Sequence, residues 1–267
     1  MAKNYFDISS KVIVLTGANG LIGRTIGAAL LEQGGYLVEL DVNFTQASEI
    51  VDFNKHLRVN CDIKDPASIE KVRDQILEKF GRIDALINLA AINDKFEADA
   101  DLLSLTGFEN YPLAMWQASL DVNLTGLYLC CQILGSEIAK QKRGSIVNVA
   151  STYGLVGPDQ NLYVDGNGKQ LFYKSPSYPA TKGAVVNFSR YLAAYWGKDN
   201  VRVNTLCPGG VEDSQEEWFV KNYAKRTCLG RMAMPDDYIG SILFLVSDSS
   251  SYMTGANLVV DGGWTAI

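Results

Sequence analysis

Tyr178 and Lys182 stand four residues apart in Ser177-Tyr-Pro-Ala-Thr-Lys182. On an α-helix that spacing puts both side chains on one face, with Cβ atoms about 5–6 Å apart. An ammonium so placed favours a phenolate and draws a tyrosine below its reference pKa of about 10. The phenol then becomes a usable general acid or base. Such pairs also occur on helix surfaces without chemical role, so this one takes its meaning from what lies upstream: Thr16-Gly-Ala-Asn-Gly-Leu-Ile-Gly23, directly after the apolar run Lys11-Val-Ile-Val-Leu15.

The elements that must position these groups are legible around them. The run before Thr16 reads as a buried parallel strand, short and β-branched. After Gly23, Arg24-Thr-Ile-Gly-Ala-Ala-Leu-Leu-Glu-Gln33 is apolar at helical spacing and stops at Gly34-Gly35. Strand, glycine-rich turn and helix form a dinucleotide-binding context: glycines let the backbone close on a pyrophosphate, and a helix N-terminus offers free N–H groups and a positive dipole end. A tight turn with no ligand is the alternative. The next strand, Tyr36-Leu-Val-Glu-Leu40, ends in Asp41. A carboxylate there hydrogen-bonds ribose hydroxyls and repels a 2′-phosphate, so NAD is expected ahead of NADP. Arg24 is the counterweight, a guanidinium able to accept that phosphate.

Further segments follow in order: Cys61-Asp-Ile63; Asn88-Leu-Ala-Ala91 after Ile83-Asp-Ala-Leu-Ile87; Asp121-Val-Asn-Leu-Thr-Gly126; Ser151 closing Ser145-Ile-Val-Asn-Val-Ala150; Pro208-Gly209 after Val201-Arg-Val-Asn-Thr-Leu206; and Gly255-Ala-Asn-Leu-Val-Val-Asp-Gly-Gly263. Together with the glycine turn and the Tyr-Lys pair, they resemble the short-chain dehydrogenase/reductase family, compact branch, over nearly the whole chain. The resemblance implies Ser151, Tyr178, Lys182 and Asn123 as catalytic residues. It implies cofactor contacts from Gly17, Asn19, Gly20, Leu21, Ile22, Gly23, Asp41, Asp62, Ile63, Asn88, Ala90, Tyr178, Lys182, Pro208, Gly209 and Val211. Tyr178 would move the substrate proton, Ser151 would steady the same oxygen, and Lys182 would tune the phenol and hold the nicotinamide ribose. Asn123 would hold a water linking Lys182 to solvent.

Three departures mark the chain. Leu21 occupies the middle glycine position of the compact branch, and the glycine has moved to Gly20, a spacing similar to that of nucleotide-sugar epimerases. Ser151 and Tyr178 lie 27 residues apart, farther than in most relatives. Asp213-Ser214 stands where many relatives place a threonine. Length settles the branch, because 267 residues leave little room for a second, sugar-nucleotide domain.

Hydrophobic residues make up 47% of the chain, enough for one large core. Alternating strand and helix patterns imply an α/β fold: a single-domain, Rossmann-type, doubly wound parallel sheet with helices on both faces, spanning residues 1–267. An insertion is expected at about 155–177, with turn signals at Asp165-Gly-Asn-Gly168. It is either a substrate-selecting flap or a surface decoration. A substrate loop is expected at about 210–230, and Phe96 to Leu113 reads as a loop over one end of the sheet. A net charge of −6 argues against nucleic acid, and no apolar run approaches the ~18 residues of a membrane span. Five cysteines without Cys-x-x-Cys spacing, and no N-terminal signal pattern, suit a cytoplasmic protein. The single histidine, His56, reads as exposed, so no metal site is expected.

Acids, Trp218, Tyr223 and basic residues in the 210–230 segment suit a small, hydroxyl-rich substrate: a sugar, polyol or sugar phosphate. Arg190-Tyr-Leu-Ala-Ala-Tyr-Trp-Gly197 and the ending through Trp264 resemble dehydrogenases of bacterial surface-sugar pathways, including flagellin glycosylation and nonulosonic acid synthesis. An NADPH-dependent ketoacyl-carrier-protein reductase, a nucleotide-sugar epimerase and a non-catalytic dinucleotide-binding regulator are the alternatives. The resemblance also implies a homotetramer or homodimer, built on helices Met115 to Lys140 and Tyr178 to Gly197 and the last strand; Tyr191, Tyr195 and Trp196 read either as an apolar face for it or as ordinary intrachain core.

Overall fold

A computed structural model describes residues 4–45, 48–52, 55–94 and 101–267, with the backbone alone described for 48–52. Seven parallel strands form the sheet in the order β4 (His56–Asn60), β2 (Tyr36–Asp41), β1 (Val12–Thr16), β5 (Ala85–Asn88), β6 (Gly144–Val149), β7 (Val201–Pro208) and β8 (Asn257–Val260). A short antiparallel strand, β3 (Ser48–Asp52), adds to the β4 edge; it was not expected from the sequence.

Side-chain alternation along a strand explains why every residue of β1 is buried. Val12 and Val14 enter the core layer shared with Ile69, Val72, Cys130 and Val185. Ile13 and Leu15 enter the opposite layer, with Ile26, Leu30 and Leu245. The first layer carries α2 (Pro66–Phe80) and α7 (Ser177–Trp196); the second carries α1 (Leu21–Glu32) and α9 (Ile239–Val246). From β1 the chain builds outward to β2 and β4, then returns to β5 on the other side of β1. Above the C-terminal ends of β1 and β5 the layers part, and a crevice opens at this switch point.

The first layer also holds a continuous helical run made of α4 (Leu113–Leu120), α5 (Leu127–Cys130) and α6 (Ser136–Lys140), joined by π-helical segments at Asp121–Gly126 and Cys131–Gly135. Part of the expected loop before it is helical: α3 (Leu102–Thr106) is capped by Asp101, whose carboxylate accepts the Ser104 N–H at 3.2 Å. Residues 96–100 lie outside the described residues.

One reading of a single side chain is corrected. His56 is buried as the first residue of β4, its Nε2 2.8 Å from Glu39 Oε2. Burial alone would raise the Glu39 carboxyl, but hydrogen bonds from His56 and Arg58 more than offset it, so this acid in the sheet stays ionised. Trp196 is core rather than surface, whereas Tyr191 and Tyr195 are exposed and stack on each other.

A third apolar cluster lies outside the sheet. Leu162 and Tyr163 of the insertion pack there with Tyr223, Met232 and Trp264. Tyr223 belongs to α8 (Glu217–Ala224), the helix of the 210–230 segment. Insertion and substrate loop therefore share one small core.

Candidate active site

The crevice at the switch point has a volume of about 530 Å³. Its walls include Gly17, Asn19, Gly20, Leu21, Ile22, Gly23, Asp41, Asp62, Ile63, Ala90 and Val211, eleven of the expected contacts. Backbone geometry explains the glycines. Gly17 has φ +70°, and a Cβ on it would lie 2.7 Å from Ala90 Cα; on Gly23 it would lie 2.3 Å from Gly17 O. The turn thus packs backbone on backbone. Gly20 meets only one atom, at 3.3 Å, and no acidic residue stands in the first turn of α1. Leu21 is tolerated in its unusual position because it opens α1 with its side chain at the crevice, 43% exposed.

Asp41 ends β2 at the crevice wall, where its oxygens accept the N–H groups of Asn19 at 3.0 Å and Asn43 at 2.9 Å. Arg24 turns away onto the Asn19 side-chain oxygen, at 2.9 Å, beside a neighbouring cavity. A glycine cradle that Cβ atoms would fill, an uncharged helix N-terminus and a carboxylate after β2 fit a dinucleotide.

Five expected contacts lie outside its lining: Tyr178 and Lys182 on α7, and Asn88, Pro208 and Gly209. Asn88 is buried below the crevice, its Nδ2 donating to Asn148 Oδ1 at 2.8 Å while Asn148 donates onward to Ser189 Oγ at 2.9 Å. Pro208 and Gly209 end β7 but do not line the crevice. The Pro208 carbonyl accepts from Thr152 Oγ1 at 3.0 Å, and the Gly209 carbonyl from the Tyr238 hydroxyl at 3.1 Å. Lys64, Leu89, Ala91, Ile92 and Val122 line the crevice and were missed; their neighbours in the quoted motifs were the available signal.

The expected proton-transfer groups converge where the end of β6 meets the start of α7. Ser151 follows β6 in extended backbone, φ −173°, and its oxygen accepts the Tyr153 N–H at 3.1 Å. The turn after it presses on α7 so closely that a Cβ on Gly154 would lie 2.7 Å from Lys182 O. Gly154 is thus what brings Ser151 onto the Tyr-Lys helix, and the sequence reading missed it. Proline is tolerated at Pro179 because the first turn of a helix has no N–H to lose.

Lys182 Nζ donates to the Val149 carbonyl at 2.8 Å and lies 5.7 Å from the Tyr178 ring centre. Burial pushes this ammonium down to about 8. Burial pushes the Tyr178 phenol up, and the Ser151 hydroxyl beside it pulls in the other direction. The expected lowering of the phenol by Lys182 is corrected accordingly: desolvation dominates, and the ammonium is turned toward a carbonyl. Asn123 bonds to the crevice wall, and its Nδ2 also lies 3.5 Å from Oγ1 of Thr181, the residue before Lys182. Its Oδ1 accepts the Ile92 N–H at 2.7 Å and its Nδ2 donates to the Ile92 carbonyl at 3.0 Å. It is a positioning residue that pins a crevice wall from inside a π-helical segment, a distortion common at functional sites.

The insertion closes the other side. Gln160 holds it together, accepting the Lys174 N–H at 2.8 Å, while Gln170 donates to the Phe172 carbonyl at 2.6 Å. Val164 and Gln170 bridge antiparallel across the Asp165 turn. Burial pushes Tyr163 and Tyr223 up to about 12. Lys174 stands 4.5 Å above the Tyr178 ring and donates to Asn93 Oδ1 at 2.8 Å. The Asp94 oxygens each lie 3.0 Å from the Tyr111 hydroxyl. Neither Lys174 nor the Asn93-Asp94 pair was anticipated. The pair directly follows the Asn88-to-Ile92 segment, whereas nothing local marks Lys174. Among the described residues no cluster of metal-ligating groups occurs, and no helix is long and apolar enough to cross a membrane.

A family model described as enoyl-(acyl carrier protein) reductase matches residues 17–265. The D-threitol dehydrogenase of Mycolicibacterium smegmatis is 33% identical, with 97% of this chain and 95% of that protein covered. An NAD-dependent glycerol dehydrogenase of Listeria innocua is 30% identical, covering 97% and 96%. In structure, a short-chain dehydrogenase of Leptospira borgpetersenii with bound NAD+ is similar at a TM-score of 0.85 and 29% identity, covering 99% and 97%. The chain belongs to the short-chain dehydrogenase/reductase family.

Proposed function

We propose that this chain is an NAD-dependent oxidoreductase acting on a secondary alcohol or ketone of a polyol, sugar or sugar phosphate. The observation that carries the reading is the Tyr178 phenol, with the Ser151 hydroxyl beside it and Lys182 on the same helix face, in a sheet whose switch-point crevice is cradled by glycines. The polyol-named relatives support the substrate class, and the likeness of residues 190–197 to surface-sugar dehydrogenases favours a sugar within it. Gly17 to Gly23 would hold the pyrophosphate of NAD, Asp41 the ribose hydroxyls, and Asp62 with Ile63 the adenine; the group supplies the hydride acceptor when bound.

The chain's own residues handle the proton. For oxidation Tyr178 first gives up its own proton and then, as the phenolate, takes that of the substrate hydroxyl. Ser151 donates to the same oxygen and stabilises the charge that develops there. Because burial holds the phenol protonated, it is poised as an acid for the reverse direction. Lys182, brought down to about 8, changes charge close to neutral pH and can exchange the proton onward. Insertion and substrate loop, sharing a core, serve as a substrate-selecting wall that excludes water.

The stack of partly buried Phe188 with exposed Tyr191 and Tyr195, and the neighbouring groove along Leu124 and Tyr128, support a homotetramer or homodimer. Four buried, unpaired cysteines suit a reducing cytoplasm. The test is cofactor reduction followed by absorbance, with NAD+ or NADP+ and a panel of polyols, sugars, sugar acids and sugar phosphates. One substrate class should yield NADH, and Tyr178→Phe should lose about 10²–10⁴-fold in rate while still binding NAD+. Full turnover in Tyr178→Phe removes the tyrosine from the mechanism, and a preference for NADP+ removes the role given to Asp41.

A further inference from the structure

We propose that Lys174 determines substrate specificity, its ammonium holding a carboxylate or phosphate oxygen of the substrate beside the carbinol presented to Tyr178. The substrate is then an anionic polyhydroxy compound. This deepens the dehydrogenase reading and rests on it for the place of the carbinol.

Geometry carries the inference. Lys174 Nζ lies 4.5 Å above the ring of Tyr178, the residue assigned the proton transfer. One of its three N–H donors goes to Asn93 Oδ1 at 2.8 Å, and among the described residues no carboxylate comes within ion-pair distance. Asp94 is the nearest acid in electrostatic terms, and its oxygens face the Tyr111 hydroxyl. Lys174 is thus the ammonium that lies over the Tyr178 ring, whereas Lys182 is committed to the Val149 carbonyl. Half-buried, with donors to spare, Lys174 fits an oxyanion better than a second neutral hydroxyl, because a charge-assisted hydrogen bond is about twice as strong as a neutral one.

Its placement is built rather than incidental. The Lys174 N–H donates to Gln160 Oε1 at 2.8 Å, its carbonyl accepts from Gln160 Nε2 at 3.4 Å, and the neighbouring Tyr173 N–H donates to Thr106 Oγ1 at 2.8 Å. The insertion is anchored in turn by Tyr163 packing 5.7 Å from Phe219 of α8. The segment separating Ser151 from Tyr178 therefore delivers a cation to the reacting group. In a chain of net charge −6, such a cation recognises an anion by local contact rather than by long-range attraction.

Two matched pairs of probes test this by calorimetry on the NAD+-loaded protein: D-threonate against D-threitol, and glycerol 3-phosphate against glycerol. The wild type should favour at least one anion over its neutral partner by about tenfold or more. Which pair shows the preference distinguishes carboxylate from phosphate. Lys174→Met should bring that ratio toward one, and Lys174→Arg should keep most of it; Lys174→Gln is a second uncharged variant, with NAD+ binding as the check on folding. A wild type that binds both members of each pair alike, or neither, overturns the proposal, as does a preference that survives in both uncharged variants. Failure of the dehydrogenase reading looks different: anion binding dependent on Lys174, without Tyr178-dependent turnover of any alcohol.

Discussion

Replacing Gly23 by alanine probes the cofactor cradle more sharply than any charge change. The new methyl would sit 2.3 Å from Gly17 O and 2.8 Å from both the Cα and the O of Ala18. That is roughly 1 Å inside an ordinary carbon contact, and every atom it meets is backbone of the turn, so no side chain can swing aside. Relief requires lifting α1 away from β1 or opening the turn that would close on the pyrophosphate. Overpacking of this kind costs about 1–3 kcal/mol. Expressed wholly in binding, it amounts to about 5–150-fold weaker NAD+ affinity; expressed in the free protein, it lowers Tm instead. Gly20→Ala is the internal control, because its methyl meets a single atom at 3.3 Å and should cost no more than about threefold. NAD+ titration by calorimetry, paired with melting curves of the free proteins, reads both channels. Gly23→Ala indistinguishable from Gly20→Ala in affinity and in Tm would refute the argument that backbone contact, rather than sequence spacing, makes these glycines necessary.

Other expectations follow from the buried groups beside the crevice. Asn123→Ala removes both side-chain partners of the Ile92 backbone; it should cost about 1–3 kcal/mol in stability and weaken NAD+ binding through the loosened wall. Unchanged chemical denaturation would count against the positioning role. Lys182→Met should melt above the wild type near pH 7, with the gap closing as pH rises. The folded wild type holds this ammonium at about 8 against about 10.5 when unfolded, so the unfolded chain binds more protons across that window and wild-type stability rises through it. A gap independent of pH from 7 to 10 would show that Lys182 is not desolvated as described.

Much of this architecture was legible because it is local. Val12 to Thr16 is apolar throughout, since a central parallel strand is covered on both faces, and the turn after it needs glycine where backbone meets backbone. Tyr178 and Lys182 share a helix face by spacing alone. The errors have physical sources too. His56 looked exposed because its neighbours in sequence are polar, yet Glu39 on the adjacent strand gives it a buried partner 2.8 Å away, and cross-strand pairing has no local signature. Asn88 and Asn123 were read as site groups from their motifs, but the amide of each is committed to protein partners, Asn148 for one and Ile92 for the other.

The insertion shows where reading by motif reaches its limit. Its length and its Asp-Gly-Asn-Gly turn were visible, and tethering between Ser151 and Tyr178 placed it at the mouth of the site. Its chemistry was not visible, because Lys174 acquires meaning only from residues far along the chain: Asn93 after β5, Thr106 on α3 and Gln160 at the base of its own loop. Each contact closes a different stretch of chain, and no periodicity within 155–177 distinguishes this lysine from Lys169, which is exposed at the turn. The conserved logic of the family, a strand-end serine and a helix-face tyrosine, is written in short spacings. The selectivity added to it is written in long-range packing, where an insertion that shares a core with α8 can place a charge 4.5 Å from the reacting ring.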